Sequence, residues 1–275
     1  MTTMNITDGK RVAFVSSGSA ESVDVEKKIR KKLKVKRIEV DSKAPDIVIS
    51  IGGDGTLLEA VHTYGRRLDT TRFVGVHTGH LGFYTDYLCS EVEELVEAIV
   101  NEDPKNSIAY PVLKMKAIMA DGQIFEKYAL NEATVRRLSR TLVADVFISN
   151  FLFERFRGDG LSISTPTGST AYNKSIGGAV LHPGLKVMQM AEIASLNNRV
   201  YRTLGAPIVV TEDENIILNL DKALDYSLTV DRLEYKFTNL AGLEYSLDGT
   251  VVHFLGERHS SFWKRVQESF IGDVN

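Results

Sequence analysis

The run Gly52-Gly53-Asp54-Gly55-Thr56 gathers residue types that can bring a backbone against a reactive group. Glycines let a chain turn tightly and approach a ligand closely. A helix opening at this point would aim unpaired N–H groups and its positive dipole end at phosphate. An acidic side chain there would repel phosphate, so Asp54 must do something else, such as holding a metal, contacting a hydroxyl or removing its proton. The plain structural alternative is an Asp capping the helix of a strand-to-helix turn. Two familiar phosphate motifs fail. Leu58 stands where the third glycine of G-x-G-x-x-G would follow Gly53 and Gly55, and no G-x-x-x-x-G-K-S/T run occurs.

A second concentration lies at Ser164-Thr165-Pro166-Thr167-Gly168-Ser169-Thr170-Ala171-Tyr172-Asn173-Lys174-Ser175, followed by Gly177-Gly178. Small hydroxyl residues and glycines make an adaptable hydrogen-bonding surface, and Tyr172 offers a flat face on which a base could stack. The competing reading is a Ser/Thr-rich surface loop. Flanking strand-like and helix-like runs favour an ordered, buried one. No G-x-S-x-G nucleophile elbow is present. Two polar insertions, Asn131-Glu132 and Arg157-Gly158-Asp159-Gly160, interrupt apolar runs, and isolated acids in such places are more often turn residues than catalysts. His77 and His80 are spaced three apart, but only Asp86 could complete a metal site, so a loop is the preferred reading. The basic run Lys27–Lys32 interleaves with Ile29 and reads as a solvated helix face. Met188 and Met190 read as packing residues.

The elements that must position these residues alternate in the first hundred positions. Arg11–Ser16, Asp46–Ile51 and Phe73–Val76 read as strands, the second so apolar that it is expected to be buried on both faces. Ser22–Leu33, Thr56–Arg67 and a stretch opened by a Ser90/Glu93 capping box and running to Asn101 read as helices. This alternation predicts an open α/β sheet of Rossmann-like type. Composition shifts near Asp103-Pro104. Beyond it lie period-two segments with turn signals at Asp121-Gly122 and Asp248-Gly249, interrupted by one expected helix, Lys186–Leu196. The expected fold is therefore an N-terminal α/β domain, residues 1–105, and a β-rich, β-sandwich-like domain, residues 106–257. A helical tail, with Phe262, Trp263, Val266 and Phe270 on one side, returns to the first domain over residues 258–275.

Composition excludes more than it names. In 275 residues, 43% hydrophobic and 25% charged content is that of a globular chain, which rules out global disorder. A net charge of -3 argues against a protein held on nucleic acid by phosphate contacts. The single cysteine, Cys89, excludes an intrachain disulfide and Cys-rich zinc sites. Apolar runs are far shorter than the ~20 residues that span a bilayer. The opening residues do not read as a signal peptide. The expected location is the cytoplasm, with no membrane or nucleic-acid partner.

Taken in order, Gly52–Thr56, Gly79–Tyr84, Asn131-Glu132, Arg157–Gly160, Thr165–Ser175 and Asn197–Thr203 resemble the motifs of NAD kinases, over roughly residues 46–235. The likeness is greatest to the short enzymes of Gram-positive bacteria. GGDGT alone is shared with diacylglycerol and sphingosine kinases, whereas its combination with Asn131-Glu132 and Thr165–Ser175 discriminates. The resemblance implies transfer of a phosphoryl group from ATP to the 2′-hydroxyl of the adenosine ribose of NAD, giving NADP. It makes Asp54 the candidate general base and gives phosphate contacts to the loop amides of Gly53, Gly55 and Thr56. Asn131 and Glu132 would contact the adenosine portion. Thr170, Ala171, Tyr172 and Ser175, with Asn173 and Lys174 beside them, would surround the adenine, and Phe83 and Tyr84 would line the same pocket. Arg157, Asp159 and Ala194 match nicotinamide-side positions. Mg²⁺ or another divalent cation would accompany ATP, and a homodimer or homotetramer is implied. Arg232, where many relatives carry Gly or His, departs from the pattern. The residues leave Asp54 open as base or metal ligand. The rival readings are a lipid kinase, disfavoured by the Asn-Glu and Thr-Pro-Thr-Gly pair, and a non-catalytic NAD sensor, which an assay would separate.

Overall fold

The computed structural model describes residues 9–79, 82–137, 140–256, 258–259 and 262–272. The chain forms two compact units, one made of residues up to Ala109 together with those from Val251 onward, the other of Tyr110–Thr250.

The first unit is built on a sheet whose described strands run in the order Glu39–Val40, Arg11–Ser16, Ile47–Ile51, Arg72–His77, Val251–Phe254 and Ile108–Pro111; Tyr87–Leu88 pairs with Arg72–His77. Pairing among the first five is parallel. All five residues of Ile47–Ile51 are buried, as expected of a strand covered on both faces. Helix Ala20–Val35 lays Val25, Ile29 and Leu33 on the sheet and is capped by Ser19, whose hydroxyl accepts the Ser22 N–H at 3.1 Å. Leu95, Val96 and Ile99 of helix Val92–Asn101 join the same core. Burying each such side chain contributes ~1.5–3 kcal/mol.

The second unit contains two six-stranded sheets among the described residues. One runs Phe151–Gly158, Leu142–Ile148, Ile216–Asn219, Leu240–Ser246, Leu113–Met119, Ile124–Ala129. The other runs Ile208–Thr211, Val187–Ile193, Gly160–Ser164, Glu132–Arg136, Tyr226–Val230, Leu233–Phe237. All of these pairings are antiparallel. Leu113, Met115 and Leu243 of one sheet and Val135, Ile163, Met190 and Leu228 of the other share a single buried core, a sandwich arrangement. Asp121-Gly122 closes the hairpin between Leu113–Met119 and Ile124–Ala129, with Gly122 at φ +85°.

Several expectations change. Lys186–Leu196 is not a helix. Val187–Ile193 is a strand paired on both sides, and Met188 and Met190 alternate into the core while Gln189 points the other way to bond Ala179. The Ser90/Glu93 capping box does not form, since the helix begins at Val92 after Glu91 with no side-chain cap bond. Helix Thr56–Arg67 is instead Asp54–Thr63 followed by a 3-10 turn at Gly65–Arg67. In the tail helix, Phe262–Phe270, Trp263 is exposed and Arg265 takes its place on the inward side with Phe262. The return of the chain to the first sheet, expected from residue 258, already begins with strand Val251–Phe254. His80, and with it the His77/His80 pair, lies outside the described residues; His77 itself is buried, with Nδ1 3.0 Å from the Gly79 carbonyl.

Candidate active site

In the first unit the buried strand Ile47–Ile51 runs straight into the glycine loop. The Gly52 N–H donates to the Val76 carbonyl at 2.9 Å, and a Cβ on Gly52 would sit 2.2 Å from the Thr56 hydroxyl. Gly53 is the last extended residue, and Asp54 is the first of the helix, so Asp54 is not a cap. Its carboxylate turns across to a second segment. Oδ2 accepts the Phe83 N–H at 2.8 Å and Oδ1 the Tyr84 N–H at 3.0 Å. Two consecutive backbone donors, one on each oxygen, fix the plane of the carboxylate while leaving lone pairs on both oxygens. Gly82 must be glycine for this approach, because a Cβ would lie 2.2 Å from Asp54 Oδ1. Gly53 and Gly55 are exposed and Asp54 is half-buried, so the start of this helix faces solvent.

Phe83 and Tyr84 thus serve Asp54 through their backbones. The Tyr84 ring is buried and stacked on Phe254 at 5.9 Å, and the Phe83 ring lies 6.3 Å from Phe262 and 5.7 Å from Phe270. Among the described residues, no group of three or more His, Cys, Asp or Glu could hold a metal ion.

In the second unit, the sheet carrying Glu132–Arg136 has a polar outer face. Ala133, Val135, Leu161 and Ile163 point into the core, so Glu132, Thr134, Arg136, Ser162 and Ser164 share the other side. Thr134 and Thr229 bond through their hydroxyls. Asn131-Glu132 is held from Asp231, whose carboxylate accepts the N–H groups of Leu130, Asn131 and Glu132 at 3.0, 2.7 and 3.3 Å. Asp231 adopts φ +52°, a backbone region that Asp tolerates better than most residues. Burial, with the Asp231 charge added, pushes the Glu132 carboxyl up to about 8, and its Oε2 has no hydrogen-bond partner among the described residues.

The Thr165–Ser175 segment is ordered, with a 3-10 turn at Thr167–Thr170 and a short helix at Tyr172–Ser175, and is buried from Thr165 to Thr170. Thr165 and Thr167 both donate to the Leu130 carbonyl, at 2.5 and 2.8 Å, and the Gly168 N–H donates to Thr165 at 3.0 Å. Gly168 packs on the Asn131 backbone so tightly that a Cβ would lie 2.0 Å from its carbonyl oxygen. Thr170 is buried, Ala171 half-buried, and Lys174 and Ser175 exposed. The Arg136 guanidinium sits over the Tyr172 ring, 5.0 Å from its centroid, and also bonds its hydroxyl. The side-chain amide of Asn173 is buried with neither end partnered among the described residues.

Arg157, Asp159 and Ala194 come together where strand Phe151–Gly158 turns into Gly160–Ser164, beside the end of Val187–Ile193. The Asp159 N–H donates to the Ile193 carbonyl, the Leu196 N–H donates to the Arg157 carbonyl, and Ala194 takes φ +46°. Arg157 lies over Tyr201 at 4.2 Å. Sequence reasoning passes over Asp231, Arg136 and Arg265. The only signal for Asp231 is its place one residue before the divergent Arg232. Nothing in local sequence pairs Arg136 with Tyr172.

Models of the ATP-NAD kinase N-terminal and C-terminal domains match residues 4–104 and 130–238. The NAD kinase of Lactococcus lactis subsp. cremoris is 54% identical over 266 residues, covering 97% of this chain and 98% of its own. The chain belongs to the NAD kinase family. A further NAD kinase, from Streptococcus gordonii, is 49% identical over 97% of both chains. Among solved structures of NAD kinase type, a yeast NADH kinase complexed with NADH superposes with a TM-score of 0.83 at 17% identity, covering 97% of this chain and 89% of its own. An NAD kinase from Archaeoglobus fulgidus in complex with ATP gives 0.73 at 24% identity, covering 94% and 98%. At those identities the two structures establish the fold.

Proposed function

We propose that this chain transfers the γ-phosphoryl group of ATP to the 2′-hydroxyl of the adenosine ribose of NAD, giving NADP. The observation that carries the reading is Asp54, a carboxylate fixed by two backbone donors at the solvent-facing start of the helix that follows the glycine loop. In the reaction the ribose 2′-oxygen bonds to the γ-phosphorus, the bond from that phosphorus to the bridging oxygen of ADP breaks, and the hydroxyl proton passes to Asp54. A positioned base of this kind contributes ~10²–10⁴ in rate. The exposed Gly53 and Gly55 bring phosphate to the positive end of the helix dipole, while the Thr56 N–H is already given to the Gly53 carbonyl at 2.9 Å. A divalent cation such as Mg²⁺ would be held mainly by the phosphates of ATP and would neutralise phosphoryl charge, leaving Asp54 to take the proton.

The second unit supplies the dinucleotide contacts. Glu132 and Asn173 bring buried polar atoms that lack a partner among the described residues, which is what a ligand hydroxyl or base edge would satisfy. Asn131 joins Glu132 on the adenosine portion, and Thr170, Ala171, Tyr172, Lys174 and Ser175 surround the adenine. Arg157, Asp159 and Ala194 meet the nicotinamide side. The protein is read as a cytoplasmic enzyme and as a homodimer or homotetramer, and exposed Phe151, Leu152, Leu196, Val200 and Leu204 support the association. No described helix is long and apolar enough to cross a membrane.

The test is direct. Purified protein with NAD, ATP and Mg²⁺ is expected to produce NADP. Phosphorylation of diacylglycerol or sphingosine in place of NAD, or NAD binding with no NADP formed, would overturn the reading.

A further inference from the structure

The segment that orients Asp54 is itself held from the far end of the chain. Arg265, on the tail helix Phe262–Phe270, is only 7% exposed. One of its terminal nitrogens, Nη1, donates to the carbonyls of Phe83 at 2.8 Å, Thr85 at 2.9 Å and Gly82 at 3.3 Å. The other, Nη2, bonds the carboxylate of Asp86, whose side chain is 1% exposed and also meets His259 Nδ1 at 3.0 Å. The carbonyls of Gly82 and Phe83 belong to the same peptide units whose N–H groups, those of Phe83 and Tyr84, hold Asp54, so the guanidinium grips one side of this strip of peptide units and the carboxylate the other. The strip has little other freedom. The Gly82 N–H donates to the Thr85 hydroxyl at 3.1 Å, and a Cβ on Gly75 would come within 2.6 Å of the Tyr84 carbonyl.

We infer that Arg265 is a positioning residue for catalysis: it sets the 82–86 strip so that the Phe83 and Tyr84 N–H groups hold Asp54 in its productive orientation. The inference rests on Asp54 acting in phosphoryl transfer as proposed above. A planar guanidinium is required, because it serves several carbonyls and a carboxylate at once, whereas an ammonium is a point charge that can satisfy one side only. Arg265→Lys therefore keeps a buried cation beside Asp86 but loses the grip on the strip.

The experiment is a double-mutant cycle on NADP formation with the full-length protein. Arg265→Lys is expected to lower kcat by roughly 10–100-fold, since a small misplacement of a reacting group costs on that order. KM for NAD should stay within about twofold, because the dinucleotide contacts lie in the other unit. Lys264→Ala, an exposed position on the same helix, should behave as wild type. In the Asp54→Asn background the Arg265→Lys change should cost less than about twofold, because a residue acting through Asp54 has nothing left to position. An undiminished loss in that background overturns the inference, as does wild-type kcat in Arg265→Lys when Asp54→Asn is impaired. A fully active Asp54→Asn would instead remove the role of Asp54 itself, so the two failures are distinct. Should Arg265→Lys not yield folded protein, Asp86→Asn makes the same test more mildly. A roughly threefold or larger fall in kcat that vanishes in the Asp54→Asn background is expected, and unchanged kcat overturns the inference.

Discussion

The two loops that carry the candidate chemistry are held by opposite means. In the first unit, the Asp54 carboxylate reaches 29 residues along the chain to the Phe83 N–H, and the segment it meets is gripped by a buried Arg265–Asp86–His259 cluster. In the second, the Thr165–Thr170 segment is held by its own hydroxyls against the Leu130 and Asn131 carbonyls, with no charge in those bonds. Charge-assisted bonds are strong but expose a buried ion when one partner is lost. Hydroxyl–carbonyl bonds are individually modest and share the loss. The first arrangement suits a group that must hold one orientation during proton transfer. The second suits a surface that must keep a shape.

The difference predicts how each loop fails. The largest effect belongs to Asp54→Asn, which keeps size and removes charge. Turnover should fall by ~10²–10⁴, with NAD affinity close to wild type and Tm somewhat lowered, because the new amide nitrogen faces one of the two backbone donors; kinetics beside a thermal melt check it, and a variant retaining full kcat would break the contrast. Asp231 comes next, as the charged support of the second region. Asp231→Leu leaves the N–H groups of Leu130, Asn131 and Glu132 without their acceptor and should cost about 2–4 kcal/mol in a denaturant titration. Asp231→Asn keeps an acceptor oxygen and tolerates the positive φ, so it should recover most of that loss. Equal losses in both variants would show that the backbone bonds do not matter. Thr165→Val should cost less, about 1–2 kcal/mol, and leave kcat nearly unchanged. A large kcat loss there would mean the second loop, too, orients reacting atoms.

The same difference governs what can be read from sequence. Strand Arg11–Ser16 and the fully buried Ile47–Ile51 are legible because apolar, β-branched runs report burial directly. The order of Thr165–Thr170 is legible because its own hydroxyl residues do the holding, whereas the 3-10 turn and the short helix Tyr172–Ser175 are not what a loop reading expects. Val187–Ile193 reads misleadingly as a helix because the run Val187-Met188-Gln189-Met190-Ala191 has good helix formers, and only pairing on both edges decides it. Arg265 is hidden for a related reason. It sits among Phe262, Trp263 and Phe270, where an aromatic face dominates the pattern, and its partners are backbone carbonyls some 180 residues away, which no side-chain identity announces. Asp231 likewise acts on backbone N–H groups. Contacts made to backbone leave no mark on the partner's sequence.

The finest division between the regions is in how they respond to pH, and Glu132 carries it. Its carboxyl is pushed up to about 8, first by burial and then by the Asp231 charge, from an ordinary value of 4.5. Between those two values the folded chain binds a proton that the unfolded chain releases. Stability contributed at this site is therefore fully present below about pH 4.5 and is lost as pH rises toward about 8. Glu132→Gln replaces the protonated acid with a neutral amide of similar shape and removes the dependence. Its Tm should match wild type near pH 4.5, then gain by a few degrees as pH climbs, levelling off above about pH 8. A Tm difference that does not change with pH would mean Glu132 is not held neutral by the fold. Repeating the series with Asp231→Asn sharpens the point: removing that charge should shrink the plateau without abolishing it, because burial is the larger cause.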